Sequence, residues 1–512
     1  FIYNIIGVAY SELKEFEKSN RFYIKCLNKN PKNLEARYNY GLNFFHLENF
    51  DESEKQFENI ILLNRNFRNS MLMLGIIKSK LNKNDEAINI FTDLIKINEN
   101  NGEIYFNLGI VHQNMKNYME SNKYLNKAIE LKYNKHECLN SIGINYQKLR
   151  NYDEAKNLFQ QSINLNKGYR KAYNNLAILL QKSGHFKSAL ENYNKALELN
   201  DNHPLTLFNK SICLLEMGKY EEGIELYKWR QNGKFSSNKF LYLKNIRNKT
   251  ILITCDQGLG DTILFSRFLI LLLERQAKII FLVSKSMFSL MQNLDTRIKV
   301  VTKEPDKKYY DYKYSLGDFL KIFNINIYNI PKFQSYIKIP KKYIDKWNKK
   351  ISKNKFKIGI VWQGKKDTIT DEGRSIELGY FKNISKFKNV ELISLQKNDG
   401  LDQIKEFRKN YKILNFDSEL DIKDKFMDTA GLMKNLNLVI CSDTSVPHLA
   451  GALGVKVWII LQKFPFWYWN SKTTNSMWYD SIKIYKQKKV NYWDDVFEKI
   501  ENDLKKLLNK NN

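Results

Sequence analysis

Cysteine is scarce in this 512-residue sequence, and its few occurrences are too far apart to act together. The five are Cys26, Cys138, Cys213, Cys255 and Cys441. They show neither the close spacing of a metal-ligand set nor the even pairing of a disulfide framework. The scarcity predicts a protein of a reducing compartment, and we expect a cytoplasmic location, peripheral to a membrane at most.

The sequence also lacks a long apolar run. The longest, "FLILLL" at 268–273, is bounded by Arg267 and Glu274. It is far shorter than the roughly 20 residues that a membrane-spanning helix needs, so no transmembrane segment is expected. A hydrophobic content of 43% and a charged content of 27% are typical of globular proteins. The length predicts two or three domains.

Acidic residues are few beside basic ones, 55 against 83, which leaves a net charge of +28. Residues 1–230 hold 32 basic and 26 acidic residues, and residues 231–512 hold 51 and 29. The excess at the C-terminal side could attract a nucleotide diphosphate, nucleic acid or a membrane surface, or reflect only a lysine-rich coding bias. Because no RNA-binding motif or dense arginine cluster occurs, we expect no nucleic-acid partner.

What the sequence does contain is a period of 34 residues. A small residue recurs at this interval, as Gly7, Gly41, Gly75, Gly109, Gly143, Ala177 and Ser211. A second small residue follows each by 12 positions, as Ser19, Ser53, Ala87, Ser121, Ala155, Ala189 and Gly223. A large apolar residue comes four positions later, as Tyr23, Phe57, Phe91, Leu125, Phe159, Tyr193 and Tyr227. Small and large residues in this order let two antiparallel helices approach closely, so we predict seven helix pairs over residues 1–230.

The period and pattern resemble tetratricopeptide repeats, most clearly in "YNNLAILLQKSGHFKSALENYNKALELN" at 173–200. Several units lack the usual proline near the end, although Pro31 keeps it. The resemblance implies an α-solenoid whose concave face binds a peptide or protein partner. Asn and Tyr side chains on that face could hydrogen-bond an extended chain, but most individual Tyr and Phe residues are expected in the core between helices.

The periodicity ends after "LYKWR" at 226–230, and residues 231–249 are predicted to be a linker. From residue 250 the pattern alternates between apolar strands and helices, beginning with "TILITC", the turn "DQGLGD" at 256–261 and a helix. Further strands are predicted at 277–284, 297–302, 356–364, 390–397, 411–417, 436–443 and 455–461. We expect two Rossmann-like halves, at 250–350 and 351–490, with a cleft between them and a C-terminal helix at 491–512.

The stretch "SDTSVPHLAGALG" at 442–454 follows a buried strand and starts a helix. Thr444 or Ser445 can cap that helix, and Gly454 can end it. A helix N-terminus at the carboxyl end of a parallel strand can bind an anion. Thr444, Ser445 and His448 are therefore candidates to contact a phosphate or ribose, although the hydroxyls equally fit plain caps and the histidine a packed core residue.

An ordered set of motifs extends this interpretation: "CDQGLGDTILFSRFLILL", "GIVWQG", "GRSIEL", "ISLQK", "SDTSVPHLAGALG" and "SMWYDSIKIYKQ". These motifs follow tetratricopeptide repeats in the sequence, and in this order they resemble bacterial repeat-bearing glycosyltransferases. The transferase part is similar to the heptosyltransferase family, and the layout is similar to protein O-linked N-acetylglucosamine transferases. The resemblance implies a GT-B fold, a nucleotide-sugar donor, inversion at the anomeric carbon, a protein or glycan acceptor and no metal or cofactor.

The resemblance also implies roles for individual residues. Asp261 matches the proposed general base, which would deprotonate an acceptor hydroxyl. The candidate donor- and phosphate-binding residues are Gly258, Gly260, Arg374, Gln396, Lys397, Asp443, Thr444, Ser445 and His448. The two aspartates equally fit capping or turn positions, and the two glycines could serve only the turn.

Departures from the family pattern favour a second hypothesis. In "FPFWYW" at 464–469, Phe466 and Tyr468 stand where the pattern has Asp and Arg, and "KKDTITDEG" at 365–373 lacks a frequent histidine. Trp467 and Trp469 could stack on a sugar or base or pack as a buried lid. The sequence thus leaves two interpretations: a metal-independent glycosyltransferase whose repeats recruit a protein, or a non-catalytic repeat scaffold with a degenerate transferase domain.

Overall fold

The computed structural model describes residues 1–231, 246–255, 257–366, 373–469 and 473–509. Most of the predicted linker, at 232–245, lies outside the described residues, as do Asp256 and residues 367–372 of the segment that lacks the histidine. The chain forms two compact units, the first of Phe1–Gln181 with Glu191–Asp201 and the second of Lys182–Leu190 with Asn202–Asn512. Among the described residues, no helix combines the length and the apolar character that crossing a membrane would require.

Seven helix pairs occupy the described residues up to 227. They are α1 (Ile2–Glu12), α2 (Phe16–Lys29), α3 (Leu34–His46), α4 (Phe50–Leu63), α5 (Arg68–Lys80), α6 (Asn84–Ile97), α7 (Gly102–Asn114), α8 (Tyr118–Glu130), α9 (Lys135–Lys148), α10 (Tyr152–Leu165), α11 (Arg170–Lys182), α12 (Phe186–Glu198), α13 (Pro204–Glu216) and α14 (Tyr220–Tyr227). The prediction that the N-terminal half is an α-solenoid of paired helices is confirmed.

The repeating glycine explains how each pair packs. A Cβ atom on Gly143 would lie 2.7 Å from the Phe159 ring, and one on Gly75 would lie 2.6 Å from the Phe91 ring. Both rings are fully buried. The large residue of the second helix therefore lies directly on the backbone of the first, where any side chain would collide with it. The second small position serves the same contact, since Ser53 Oγ donates a 2.8 Å hydrogen bond to the Gly41 carbonyl.

The remaining helices and the strands form the α/β part of the second unit. The helices are α15 (Leu259–Phe265), α16 (Arg267–Glu274), α17 (Phe288–Met291), α18 (Phe319–Ile322), α19 (Lys341–Asn348), α20 (Gln403–Phe407), α21 (Met427–Met433), α22 (Ser445–Ala452) and α23 (Asp494–Asn509). The strands are β1 (Thr250–Thr254), β2 (Lys278–Leu282), β3 (Ile298–Val301), β4 (Tyr312–Ser315), β5 (Phe356–Val361), β6 (Val390–Ser394), β7 (Leu414–Asn415), β8 (Leu438–Ser442), β9 (Val457–Leu461) and β10 (Ile482–Lys486).

These strands form two parallel sheets. The first has the order β3-β2-β1-β4, and the second has the order β10-β9-β8-β5-β6-β7. In register, Ile251 lies opposite Ile279 in the first sheet, and Ile358 lies opposite Leu438 in the second. Strands such as β8 and β9 are buried along their whole length, as expected for parallel strands covered on both faces. The predicted α/β architecture with parallel sheets is confirmed.

The end of α14 is fixed to the first sheet within the second unit. The Arg230 guanidinium forms a 2.7 Å ion pair with Asp318 and also donates to Ser315 at the end of β4. A Cβ atom on Gly317 would lie 2.7 Å from Arg230 Nε, so the glycine makes room for the guanidinium. The 34-residue pattern therefore ends next to a largely buried ion pair.

We expect Gly143→Val to loosen the fifth repeat, because the new side chain must displace the Phe159 ring. Overpacking of this kind costs about 1–3 kcal/mol of unfolding free energy. Hydrogen-exchange mass spectrometry should show faster exchange in α9 and α10. Gly168→Ala is the matched control, since its nearest neighbour is the flexible Asn166 side chain at 3.3 Å. Equal exchange in the two variants would contradict this account of the packing.

Candidate functional site

Two helices of the second unit begin at the carboxyl ends of parallel strands and meet there. The helix α15 follows β1, and α22 follows β8. A Cβ atom on Gly260 would lie 2.9 Å from His448 Cδ2 and 3.5 Å from Ser445 Cα. Gly260 thus lets the first turn of α15 lie directly against the first turn of α22, which brings the two predicted motifs together.

Asp261 lies in the first turn of α15 and is half-buried. Its Oδ2 accepts a 3.2 Å hydrogen bond from the Gly258 backbone N–H, and its Oδ1 accepts a 3.3 Å bond from the Tyr468 hydroxyl. The first bond caps the helix, as an acidic residue at this position can do. In the second bond, the Tyr468 phenol of the same chain donates to the other carboxylate oxygen.

Asp443 and Thr444 occupy the turn before α22. The Asp443 Oδ1 accepts a 2.8 Å hydrogen bond from the Trp469 indole Nε1, and Thr444 Oγ1 accepts a 3.2 Å bond from the Val446 backbone N–H. Burial raises the pKa of Asp443 to about 6, against the opposing effects of the Trp469 hydrogen bond and the Arg374 charge. Arg374 therefore lies close enough to Asp443 to act on its ionisation.

His448 is 1% exposed and packs between aromatic rings. Its ring is stacked on that of Trp469, with 4.8 Å between centroids, and its Nδ1 lies 3.3 Å from the Tyr479 hydroxyl. Burial and the nearby positive charge of Arg267 lower the pKa of His448 to about 3. The imidazole is therefore neutral at neutral pH and contributes packing and hydrogen bonding, not charge.

We call residues 466–469 the aromatic turn. It follows β9, and its Trp467 and Trp469 are each 1% exposed. Through Tyr468 it contacts Asp261, and through Trp469 it contacts both Asp443 and His448. The aromatic turn therefore lies across the starts of α15 and α22.

Two of the predicted donor residues make their contacts elsewhere. Gln396 is buried, and its Oε1 accepts from the Trp362 and Gln363 backbone N–H groups, each at 3.1 Å. The Lys397 ammonium donates to the backbone carbonyls of Asp417 at 2.5 Å and Leu420 at 3.0 Å. Both side chains connect loops that follow β5, β6 and β7. Asp261, Asp443, Thr444, Ser445 and His448, in contrast, form one cluster.

The residues that surround this cluster carry no motif that predicts their role. Arg267 is fully buried and donates to the carbonyls of Leu264 at 2.8 Å and Trp478 at 2.6 Å. Its guanidinium lies 4.5 Å from the Tyr479 ring centroid. Carbonyl oxygens and aromatic rings thus stabilise this charge in the interior. The one sequence signal for this role is a lone arginine beside the apolar run 268–273, where it also marks the boundary of that run.

The repeats present a second candidate surface, formed by the first helices of successive units. Asn114 on α7 donates a 3.3 Å hydrogen bond to Ser79 on α5, and Gln113 on α7 donates a 2.6 Å bond to Asn145 on α9. Asn175 on α11 donates a 2.9 Å bond to Asn140 on α9. These bonds link α5, α7, α9 and α11 of the first unit, and we call the side of the first helices the first-helix face. Asn140 and Asn145 are buried, whereas Asn114 is exposed.

Comparison with known proteins identifies the repeats. Tetratricopeptide repeat models match residues 2–33, 69–101, 102–168, 137–202 and 192–225. The N-terminal half of the chain is therefore an array of tetratricopeptide repeats, a class of structure that suggests protein–protein interaction.

A curated relative is Protein FlbA of Caulobacter vibrioides, 20% identical over 284 residues. The match covers 51% of this chain and 47% of the relative, so it spans about half of the relative's length.

Solved structures with similar helices include a tetratricopeptide repeat protein from Parabacteroides merdae, with a TM-score of 0.40, 15% identity, and coverage of 46% of this chain and 93% of that one. Yeast Tom70 has a TM-score of 0.36, 21% identity, and coverage of 42% and 47%. The likeness to these structures concerns the fold alone.

The raised pKa of Asp443 makes stability depend on pH. The Asp443 carboxyl ionises at a higher pH in the folded chain than its ordinary pKa of 3.8. Its contribution to the free energy of unfolding is therefore complete below pH 3.8 and is lost as pH rises through about 6. Asp443→Asn keeps an acceptor for Trp469 and removes this loss. We expect the Tm of the variant minus that of wild type to be larger at pH 7.5 than at pH 4, by about 2 °C or more.

Differential scanning calorimetry at the two pH values measures this change. Asp306→Asn, at an exposed carboxyl, is the control and should show no such trend. A Tm difference between Asp443→Asn and wild type that is the same at both pH values would contradict the account of the Asp443 environment.

Proposed function

We propose that this protein is a scaffold in which the tetratricopeptide array binds a protein partner. On this proposal, the α/β part is a transferase-like module whose candidate site is filled by side chains of its own chain. One observation carries the proposal. The two carboxylates that a transferase of the resembled kind would use, Asp261 and Asp443, are both hydrogen-bonded to the aromatic turn of their own chain. A ligand would have to displace Tyr468 and Trp469 to reach them.

The first-helix face supports the binding part of this proposal. Half-buried Asn39, Asn107 and Asn175 occupy the same register position on α3, α7 and α11, in every second repeat. A side-chain amide offers both donors and an acceptor, which matches the backbone of an extended peptide. On this proposal, such a segment of a partner protein lies along the first-helix face and hydrogen-bonds to these amides.

Site-specific photo-crosslinking tests this binding mode. We would replace Asn114, which is exposed on α7, with p-benzoylphenylalanine in the full chain and irradiate it in the source cells. The control carries the same group at Met119, which is 68% exposed on α8, the second helix of that unit. We expect a discrete crosslinked partner from position 114 that also binds the purified protein saturably. Equal crosslinking from both positions, or from neither, would overturn the proposal.

A second candidate function is metal-independent glycosyl transfer on a GT-B fold. The observation that favours it is the juxtaposition of Asp261 with the start of α22, where Thr444 and Ser445 lie. On this proposal, Asp261 takes the proton of an acceptor hydroxyl, whose oxygen then attacks the anomeric carbon of a nucleotide-sugar. The bond from that carbon to the diphosphate breaks, and Arg374 and the N-terminus of α22 stabilise the departing charge.

Thermal-shift and calorimetric titration with UDP-, GDP-, ADP- and CMP-sugars tests the transferase function. If it is correct, one donor stabilises the chain, Arg374→Ala weakens its binding, and Asp261→Asn binds it without turnover. Tyr468→Phe frees the Asp261 oxygen and should raise turnover several-fold. If no donor changes the Tm at millimolar concentration in wild type or in Tyr468→Phe, the transferase proposal fails, whereas the scaffold proposal is unaffected.

A further inference from the structure

A pocket of about 470 Å³ opens between the first and second repeats, inside the first unit. Its lining includes Ile24 and Leu27 from α2, Pro31 from the turn, Arg37 and Tyr40 from α3, and Gln56 from α4. Ile24 is 43% exposed, so part of this apolar surface faces water. The pocket thus combines one positive charge with an apolar wall.

The polar residues of this pocket break the repeat pattern. At the register of Arg37, the other six units carry apolar or aromatic residues: Tyr3, Met71, Tyr105, Leu139, Tyr173 and Leu207. At the register of Gln56, five of the other six do so: Phe22, Ile90, Tyr124, Leu158 and Leu226. Polar groups therefore replace packing residues at two contacting positions of a single repeat, and the pocket lies at those positions.

The guanidinium of Arg37 is held in place by neighbours. Its Nη1 donates a 3.1 Å hydrogen bond to Gln56 Oε1, and its Nη2 donates a 2.9 Å bond to the Pro31 carbonyl. Gln56 is oriented in turn, because its Nε2 donates a 3.2 Å bond to Glu52 Oε1. Pre-organisation of this kind reduces the entropy lost when a ligand binds.

Arg37 retains binding capacity and a positive charge. A guanidinium has five N–H donors, and two of those of Arg37 have partners in the described part of the chain. The Nε–H is buried, which leaves one N–H on each terminal nitrogen for a ligand. The nearby carboxylate, Glu52, is engaged by Gln56 and by Lys55 at 3.0 Å. The exposed Lys29 and Lys32 flank Pro31 and add positive charge. The pocket therefore favours an anion, and a planar carboxylate matches the remaining donors.

We propose that this pocket binds an acidic side chain of the protein partner, with its carboxylate on Arg37 and the adjacent apolar side chain of the partner against Ile24 and Leu27. The volume suits a short segment of side chains, at the lower end of the roughly 300–1,000 Å³ typical of ligand pockets. The inference rests on the proposed scaffold function and defines the chemistry of its partner: a carboxylate next to an apolar residue.

Ligand-observed saturation-transfer NMR on the full chain tests the pocket. The probes are the acetylated, amidated pentapeptide Gly-Leu-Asp-Leu-Gly and its counterpart with Asn in place of Asp, and free succinate is the small-molecule probe. We expect the Asp peptide to bind roughly tenfold or more tightly than the Asn peptide, because it forms hydrogen bonds to a charged donor. Equal binding of the two peptides, or succinate binding as tightly as the Asp peptide, would overturn the proposal.

Arg37→Met is the decisive variant, because methionine stands at the equivalent position in the third repeat, as Met71, and should preserve folding. Circular dichroism checks that its Tm is not lowered. This variant should lose the preference for the Asp peptide, whereas Arg21→Met, at an exposed arginine on α2, should keep it. A preference that survives in Arg37→Met refutes the pocket. If crosslinked partners appear but the peptides are not discriminated, the pocket inference fails and the scaffold function stands.

Discussion

A large side chain that packs on a glycine of the neighbouring helix sets the helix spacing in both units. In the repeats, the ring of Phe159 lies on Gly143. In the α/β part, the His448 ring of α22 lies on Gly260 of α15, and the Tyr479 ring, in the loop before β10, would lie 2.5 Å from a Cβ atom on Gly451. Each contact brings two backbones close together and leaves no room for a side chain at the glycine. The arrangement of the candidate site therefore follows from the same packing rule as the array.

Two polar side chains buried by this packing, Arg267 and His448, have partners inside the protein. Arg267 donates to backbone carbonyls and lies against Tyr479, whose hydroxyl in turn lies 3.3 Å from His448. Because an unpaired charge in the interior is costly, such a network resists partial opening. Trp478, whose carbonyl accepts from Arg267, also packs against Trp467 of the aromatic turn. Proton transfer to Asp261 Oδ1 would first require the Tyr468 hydroxyl to leave that oxygen.

The elements of the fold that can be predicted from the sequence are those with a repeated residue pattern or a continuous apolar run. The small-and-large pattern recurs through seven units, and β1, β2, β8 and β9 are compact apolar runs. The strands β4 and β10 were missed, because "YKYS" and "IKIYK" alternate polar with apolar residues and lack such runs. The hydrogen bond between Tyr468 and Asp261 joins positions 207 residues apart and depends on the tertiary fold. The sequence motifs located one partner of that pair as a base and the other only as a departure from a pattern.

The identical spacing of the glycine contacts has a consequence for how such a chain changes over generations. Duplication or deletion of a whole 34-residue segment leaves every inter-helix contact of the same kind intact, because each unit packs only on its neighbours. Loss of a single codon within α9 would instead rotate the residues after it by about 100° around the helix and move Gly143 or its partners out of register. The length of the array is therefore free to vary in steps of one repeat, while the ion pair between Arg230 and Asp318 joins the end of its last helix to the first sheet.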